Sequence, residues 1–575
     1  MLLSFFRIFM LSVLAGSGLV LAQAPDNYTP IGLDDLSGFE APGSSWKLYR
    51  SVEMKPASAQ GLTTSAGSGV LLGSAGQALR TKATMQDLRL RLEFMLSPGA
   101  QAYVTLPGGP KVLLAEGTPV GAPGATTSGY VGQFPLQNAA KAAGLWQTFE
   151  LAYDASTPNQ DAMARLNALV LNGVTVQQGV YLPLAKAVAQ GAPLELQETR
   201  GMMAIRNMGY QALANRKPLA VENLSYKLYT DAWDTPTPTK VEREAKTAAI
   251  TQELGNGLRE FHLIFEGDMQ VSEDGNYIFT IAQSGPKAEL MVDGKPVLTV
   301  GESTSQDLHQ GNIALTKGKH AFKLRYSRFP WRRPALGLSV FTAGVRPYGL
   351  TALSSLPVPD PKPYLSVSPE ARPEMVRSFV FYNGEKQKRT HVVSVGGPAG
   401  WHYTLDLNRG ALLQAWRGQF ADVTEMWYER GEPQLLATAG LTVPVSGQSS
   451  YTLLDNPNAP WPDSANLNYL GYRLDASGTP AMRYALGNTT LTDRLNSAPE
   501  GLIRTLSVEG TPASPLYALL GAGKEIKLVE KGLYRIDDRY YVRVDTRAKV
   551  TQRSSNGRQE LLLPVSGTTA YTIFW

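Results

Sequence analysis

The sequence predicts an all-β chain: consecutive β-sandwich or jelly-roll-type domains, three of them, behind a signal peptide. Three observations carry this reading. Short runs that alternate apolar and polar residues, bounded by Gly, Pro, Asn and Asp, recur through the 575 residues, the pattern of strands with one buried face. Hardly any stretch keeps a helical period. Cysteine is absent, so stability must come from hydrophobic cores large enough to stand without disulfide staples, which this length allows.

The first element is residues 1–24. Arg7 precedes an apolar stretch from Ile8 to Leu21, and small residues follow at Ala22 and Ala24. This is the layout of a secretory signal peptide cleaved after Ala24, which predicts a secreted or periplasmic protein. The run is shorter than the ~20 apolar residues of a membrane span and is broken by Gly16, Ser17 and Gly18. No transmembrane segment is expected in the mature chain.

Composition narrows the chemistry. The lack of Cys excludes covalent haem, thiolate zinc sites, iron–sulfur clusters and thiol nucleophiles. His262, His309 and His320 show no metal spacing, so no metal and no cofactor are expected. The formal charge of +5 is spread without a Lys/Arg block, which argues against nucleic acid as a partner.

The first domain is expected over residues 25–235. Leu88, Leu90, Leu92 and Phe94 alternate with Arg89, Arg91 and Glu93, so one face of that strand enters a core and the other carries charge. Asn172-Gly173 favours a tight hairpin turn. With Leu79-Arg-Thr-Lys82, Asp87-Leu-Arg-Leu-Arg-Leu-Glu-Phe94, Gly144-Leu-Trp-Gln-Thr-Phe-Glu150, Leu171-Asn-Gly173, Leu196-Gln197 and Ile205-Arg-Asn-Met208, this stretch resembles the 3-keto-disaccharide hydrolase domain family, a jelly roll related to the concanavalin A-like lectins and glucanases. The resemblance implies a ligand site on the concave sheet. Its candidate catalytic residues are Glu93, Arg206 and Glu116; Gln197, Asn207, Trp146 and Arg91 are candidate substrate contacts. A 3-keto sugar can be cleaved after abstraction of the acidic proton beside its ketone, which needs one base and an electrophilic partner for the enolate. The alternative reading is a solvated face in which Arg89, Arg91 and Glu93 form cross-strand ion pairs, with Trp146 packing the sandwich. The glucanase strand Glu-x-Asp-x-x-Glu is absent, and no closely spaced carboxylate pair stands in these strands.

The second domain is expected over 236–350, after a stretch from Val241 to Leu254 that is helix-like but lacks an apolar stripe. Phe265-Glu-Gly-Asp268, Asp274-Gly-Asn-Tyr-Ile-Phe279, Leu290-Met-Val-Asp-Gly294 and Leu315-Thr-Lys-Gly-Lys-His-Ala321 resemble the sugar-associated β-sandwich module named after anthrax protective antigen. Hairpin turns are expected at Asp274-Gly275 and Asp293-Gly294. Where glycan-binding members carry calcium-holding aspartates, this chain reads Gln283-Ser-Gly-Pro-Lys-Ala-Glu289. Arg328, Trp331, Arg332 and Arg333 cluster in one loop, suited to an anionic sugar or to packing a domain interface, with packing preferred.

A Pro-rich linker, 351–374, follows, then a third domain, 375–575, rich in Tyr and Arg. It faintly resembles β-domains of secreted sugar-dehydrogenase-like proteins. Trp401, Trp416 and Trp427 with His402, Asp406, Asp422 and Arg430 make either a sugar platform or an aromatic core with buried hydrogen bonds. The expected partner is carbohydrate, and the expected function is hydrolysis of 3-keto-glycosides by the first domain with accessory glycan binding. The alternative is a non-catalytic carbohydrate-binding or cell-envelope adhesion protein.

Overall fold

The computed structural model describes residues 28–40, 45–54, 62–74, 76–116, 127–155, 163–186, 188, 191–214, 216–303, 308–357, 365–427, 434–462, 464–555 and 557–575. The expected signal peptide and Arg430 lie outside the described residues. Strand makes up 62% of the structure and helix 2%, in antiparallel sheets, so the all-β multi-domain class holds. No helix among the described residues is long and apolar enough to cross a membrane.

The chain forms two compact units, 1–211 with 363–575, and 212–362. In the first unit the N-terminal part is a two-sheet sandwich. Its larger sheet runs Val174–Pro183, Met163–Leu171, Gln147–Asp154, Asp87–Leu96, Met202–Leu213, Leu62–Ser74, Trp46–Met54, with Thr29–Pro30 paired to Met202–Leu213. The smaller runs Phe39–Glu40, Leu79–Met85, Ala192–Arg200, Gln101–Thr105, Lys111–Ala115. The alternation in Asp87–Leu96 works as expected: Leu88, Leu90, Leu92 and Phe94 are buried in the core, each worth roughly 1.5–3 kcal/mol relative to exposure. Arg89, Arg91 and Glu93 face outward and are part-exposed. Asn172-Gly173 is a hairpin turn with both residues at positive φ, 53° and 79°, between strands paired at Leu171 and Val174.

The C-terminal part of this unit holds three antiparallel sheets, of six, four and eight strands. One continuous apolar core contains residues of both parts, from Leu90 and Phe149 to Tyr541 and Ile573. Their seam includes the segment before Trp146. Tyr541 Oη donates to the Ala143 carbonyl at 3.0 Å, and the Arg417 guanidinium donates to the Ala140 carbonyl. Gly144 is required there: a Cβ would stand 2.7 Å from Tyr541 Oη and 2.4 Å from Met54 Cβ, and φ is 77°.

The second unit packs a six-stranded and a four-stranded sheet around Phe265, Tyr277, Phe279, Leu290, Leu324 and Leu338. Leu219–Tyr229, which the sequence reading placed in the first domain, pairs with Phe261–Val271 and belongs to this sheet. The stretch from Val241 to Leu254 is not a helix: Val241–Lys246 is an edge strand with every residue exposed, and Gln252–Gly255 is a 3-10 turn. Both faces of that edge meet water, so it carries no apolar alternation. Asp293-Gly294 is the expected hairpin turn. Asp274-Gly275 is not, because the flanking strands Phe261–Val271 and Gly275–Ser284 lie in different sheets.

Candidate functional site

On the outer face of the larger N-terminal sheet, Asp87–Leu96 lies between Gln147–Asp154 and Met202–Leu213. Strand order brings Glu93 beside Arg206, 113 residues away, and the left-handed backbone at Asn207 breaks the period-2 alternation so that this residue, 114 away, reaches the same carboxylate. Arg206 Nε donates to Glu93 Oε2 at 2.8 Å, and Asn207 Nδ2 donates to Oε1 at 2.6 Å. Asn207 holds φ 51° within its strand, a conformation that Asn tolerates better than branched residues. Arg206 also stacks on Trp146, with its guanidinium carbon 4.0 Å from the ring centroid. Its Nη2 is 3.9 Å from Asp538 Oδ2, an aspartate in the turn between Leu533–Ile536 and Tyr540–Val544 that is also 3.3 Å from Arg535.

One guanidinium thus bridges carboxylates from the first and last parts of the chain. Burial raises the Asp538 carboxyl above its ordinary range, opposed by Arg535 and Arg206. Lys141, whose Nζ donates to the Trp146 carbonyl at 3.1 Å, is held down to about 8 by burial, while the charges of Asp538 and Glu93 pull it up. Burial thus draws the carboxyl up and the ammonium down, toward the neutral range in which acid and base roles are shared.

Glu93 and Asn207 also line an open groove of about 450 Å³, together with Arg91, Thr148, Glu150 and Tyr28. Arg91 stands over the Tyr28 ring at 4.3 Å. In the strand register Glu93 opposes Thr148 and Arg91 opposes Glu150. Glu93 and Glu150 are therefore diagonal neighbours, Cα atoms roughly 7–8 Å apart. The sequence reading found no carboxylate pair because these two stand on strands separated by a long connection; only pairing joins them.

Three expected site residues have other surroundings or other parts than the sequence suggests. Gln197 lies on Ala192–Arg200 in the opposite sheet, where Leu194 and Leu196 fill the core and Gln197 faces outward beside Tyr103. It points away from Glu93 across the sandwich and cannot converge with it. Glu116 is a fastener: its oxygens accept from the Gly99 amide at 2.7 Å and the Ala143 amide at 3.1 Å, which leaves it engaged as a loop tie rather than as a base. Trp146 is 7% exposed and capped by Arg206, so it orients the arginine and offers no open face to a sugar. Sequence reasoning missed Lys141, Glu150 and Asp538. Lys141 sits in a connecting segment, and Asp538 is nearly 450 residues downstream of Glu93.

In the C-terminal part, His402 is 1% exposed, with one ring nitrogen 2.9 Å from the Gly418 carbonyl and the other accepting from the Gly397 amide. Burial lowers it to about 4. Asp406 binds Arg389 at 3.0 Å, and Trp416 is fully buried. Trp401, Trp416, His402 and Asp406 thus belong to an aromatic core with buried hydrogen bonds, whereas Trp427 is 70% exposed and stands outside it. Among the described residues no group of three or more His, Asp or Glu could hold a metal ion.

No protein-family model matches the chain, and no curated protein matches it either. Parts of it resemble solved structures. A candidate glycosyl hydrolase from Parabacteroides distasonis is 17% identical, covering 33% of this chain and 100% of its own, with a TM-score of 0.23. A β-glucosidase from Kluyveromyces marxianus in complex with glucose is 16% identical over 21% of this chain and 15% of its own, TM-score 0.17. An α-xylosidase from Xanthomonas citri is 13% identical over 47% and 30%, TM-score 0.19. At such TM-scores a functional assignment has to come from the side chains.

Proposed function

We propose that the chain is an exported carbohydrate-active protein that hydrolyses 3-keto-glycosides beside Glu93. The observation that carries this is the Arg206 guanidinium, which pairs with Asp538 and with Glu93, a residue lining the groove. The segment Ile8–Leu21 supports export.

In this reading Glu93 takes the proton from the carbon between the ketone and the anomeric carbon. The C–H electrons form the enolate, whose charge Arg206 and protonated Lys141 stabilise. The enolate expels the aglycone oxygen from the anomeric carbon, and the Lys141 ammonium, held down to about 8 by burial, gives that oxygen its proton. Water then adds to the anomeric carbon of the resulting enone, its proton passing to Lys141, while Glu93 returns its proton to the carbon beside the ketone, releasing the free 3-keto sugar. Asn207 and Trp146 are positioning residues: one orients the Glu93 carboxylate, the other the Arg206 guanidinium.

The test is release of free sugar from a 3-keto-disaccharide. Wild type is expected to turn it over, and Glu93→Gln to lose about a hundredfold in kcat/KM with the fold unchanged by circular dichroism. Equal rates for the two would overturn the assignment. A second reading, non-catalytic glycan binding, is favoured by one observation: both Glu93 oxygens already accept hydrogen bonds. Saturable binding without turnover by wild type would establish it.

A further inference from the structure

The loop between Gly318–Arg328 and Ala335–Phe341 reads Phe329-Pro-Trp-Arg-Arg-Pro334. Phe329 is 1% exposed, whereas Trp331 is 61% exposed in the chain as a whole, so the sequence preference for a packed Trp331 is not met. The ring is nonetheless firmly mounted. One face stacks on Phe329, centroids 4.8 Å apart at 26°, and Trp233 meets it nearly edge-on at 5.3 Å and 78°. Trp233 is itself fixed: its amide donates to Glu260 Oε2 at 2.9 Å, and the preceding Ala232 carbonyl is 2.9 Å from Nε2 of the fully buried His262. Prolines on both sides restrict the loop backbone. A large apolar face is thus held open to water without the entropy cost of ordering it on binding.

Two cations, Arg332 and Arg333, follow Trp331 directly in the loop. Arg332 lies 5.6 Å from the Phe329 centroid, and among the described residues its one ion pair is a 4.0 Å contact with Glu302. Arg333 is exposed and has no hydrogen-bond or ion-pair partner among the described residues. Guanidinium forks match carboxylates, and an aromatic face with a few polar groups beside it suits a sugar ring.

We propose that Trp331, Arg332 and Arg333 form a binding site for an acidic polysaccharide, with a uronate ring stacked on Trp331 and its carboxylate on the arginines. The site lies outside the Glu93 crevice and does not depend on the chemistry there.

The test is calorimetric titration of the full chain with hexameric oligogalacturonate, and with cellohexaose as a neutral chain of equal length. The acidic hexamer is expected to bind at least tenfold more tightly than the neutral one, with affinity falling as salt rises. Trp331→Ala and the double variant Arg332→Gln, Arg333→Gln are each expected to weaken it tenfold or more. Glu93→Gln should bind like wild type, which separates this site from the crevice. Both variants change exposed side chains, and circular dichroism verifies that they fold. Unchanged affinity in Trp331→Ala, equal affinity for the two hexamers, or binding only to anionic phosphatidylserine vesicles would each overturn the proposal.

Discussion

Asp493→Ala is expected to destabilise the C-terminal part of the first unit by about 3–5 kcal/mol, and Arg504→Met by a similar amount. The two residues stand on the paired strands Thr489–Ala498 and Gly501–Glu509, at positions whose neighbours two residues away, Leu491 and Leu495, Leu502 and Leu506, are core leucines. Each is 1% exposed. The contact is bidentate, Nε to Oδ1 at 2.9 Å and Nη2 to Oδ2 at 2.5 Å, and Nη1 donates to Tyr571 Oη at 3.2 Å. Removing either partner leaves one charge stranded in an apolar interior. Removing both does not, so Asp493→Ala with Arg504→Met should cost far less than the sum of the single changes. Urea midpoints of the four proteins measure the coupling. Single variants each within 1 kcal/mol of wild type would show that the pair carries little of the stability.

The same alternation that makes this pair conspicuous explains how far sequence could lead. In Asp87–Leu96 the leucines and charges separate cleanly by face, and both the buried stripe and the outward Glu93 follow from period 2 alone. Glu93, Arg206 and Asn207 could be singled out as polar residues on strands, and they do meet. Gln197 satisfied the same criterion and failed. Alternation distinguishes in from out, but a sandwich has two outer faces, and only strand order says which one a residue occupies. Lys141 and Asp538 were invisible for a different reason: the Arg206 contact with Asp538 joins segments far apart in sequence, and nothing local in either predicts it. The hairpin dipeptides Asn172-Gly173 and Asp293-Gly294 were legible because their left-handed backbone is a local demand. Asp274-Gly275 has the same composition, but its strands part into separate sheets.

Period 2 also places Glu198 in phase with Leu194 and Leu196, pointing into the sandwich, and this carboxyl sets a pH dependence of stability. It is 2% exposed, packed against Gly73 and close to the Trp46 ring, where a Cβ on Gly73 would meet Glu198 Oε1 at 2.0 Å. Neither oxygen has a hydrogen-bond partner among the described residues beyond the residue's own backbone. Burial pushes the carboxyl from 4.5 up to about 8, so the folded chain keeps a proton that the unfolded chain releases. Below pH 4.5 both states hold it and there is no penalty. Between about 4.5 and about 8 the unfolded state binds fewer protons, so stability falls as pH rises, by on the order of 5 kcal/mol in total. Above about 8 both states are ionised and the loss is constant. Glu198→Gln has no proton to lose. Its stability relative to wild type is therefore expected to be near equal at pH 4 and to grow steadily to pH 8, the other titrations cancelling in the difference. Denaturant midpoints for the two chains across this range provide the comparison, and parallel profiles would mean that Glu198 is ionised in the folded protein and finds its compensation in the surrounding sheets.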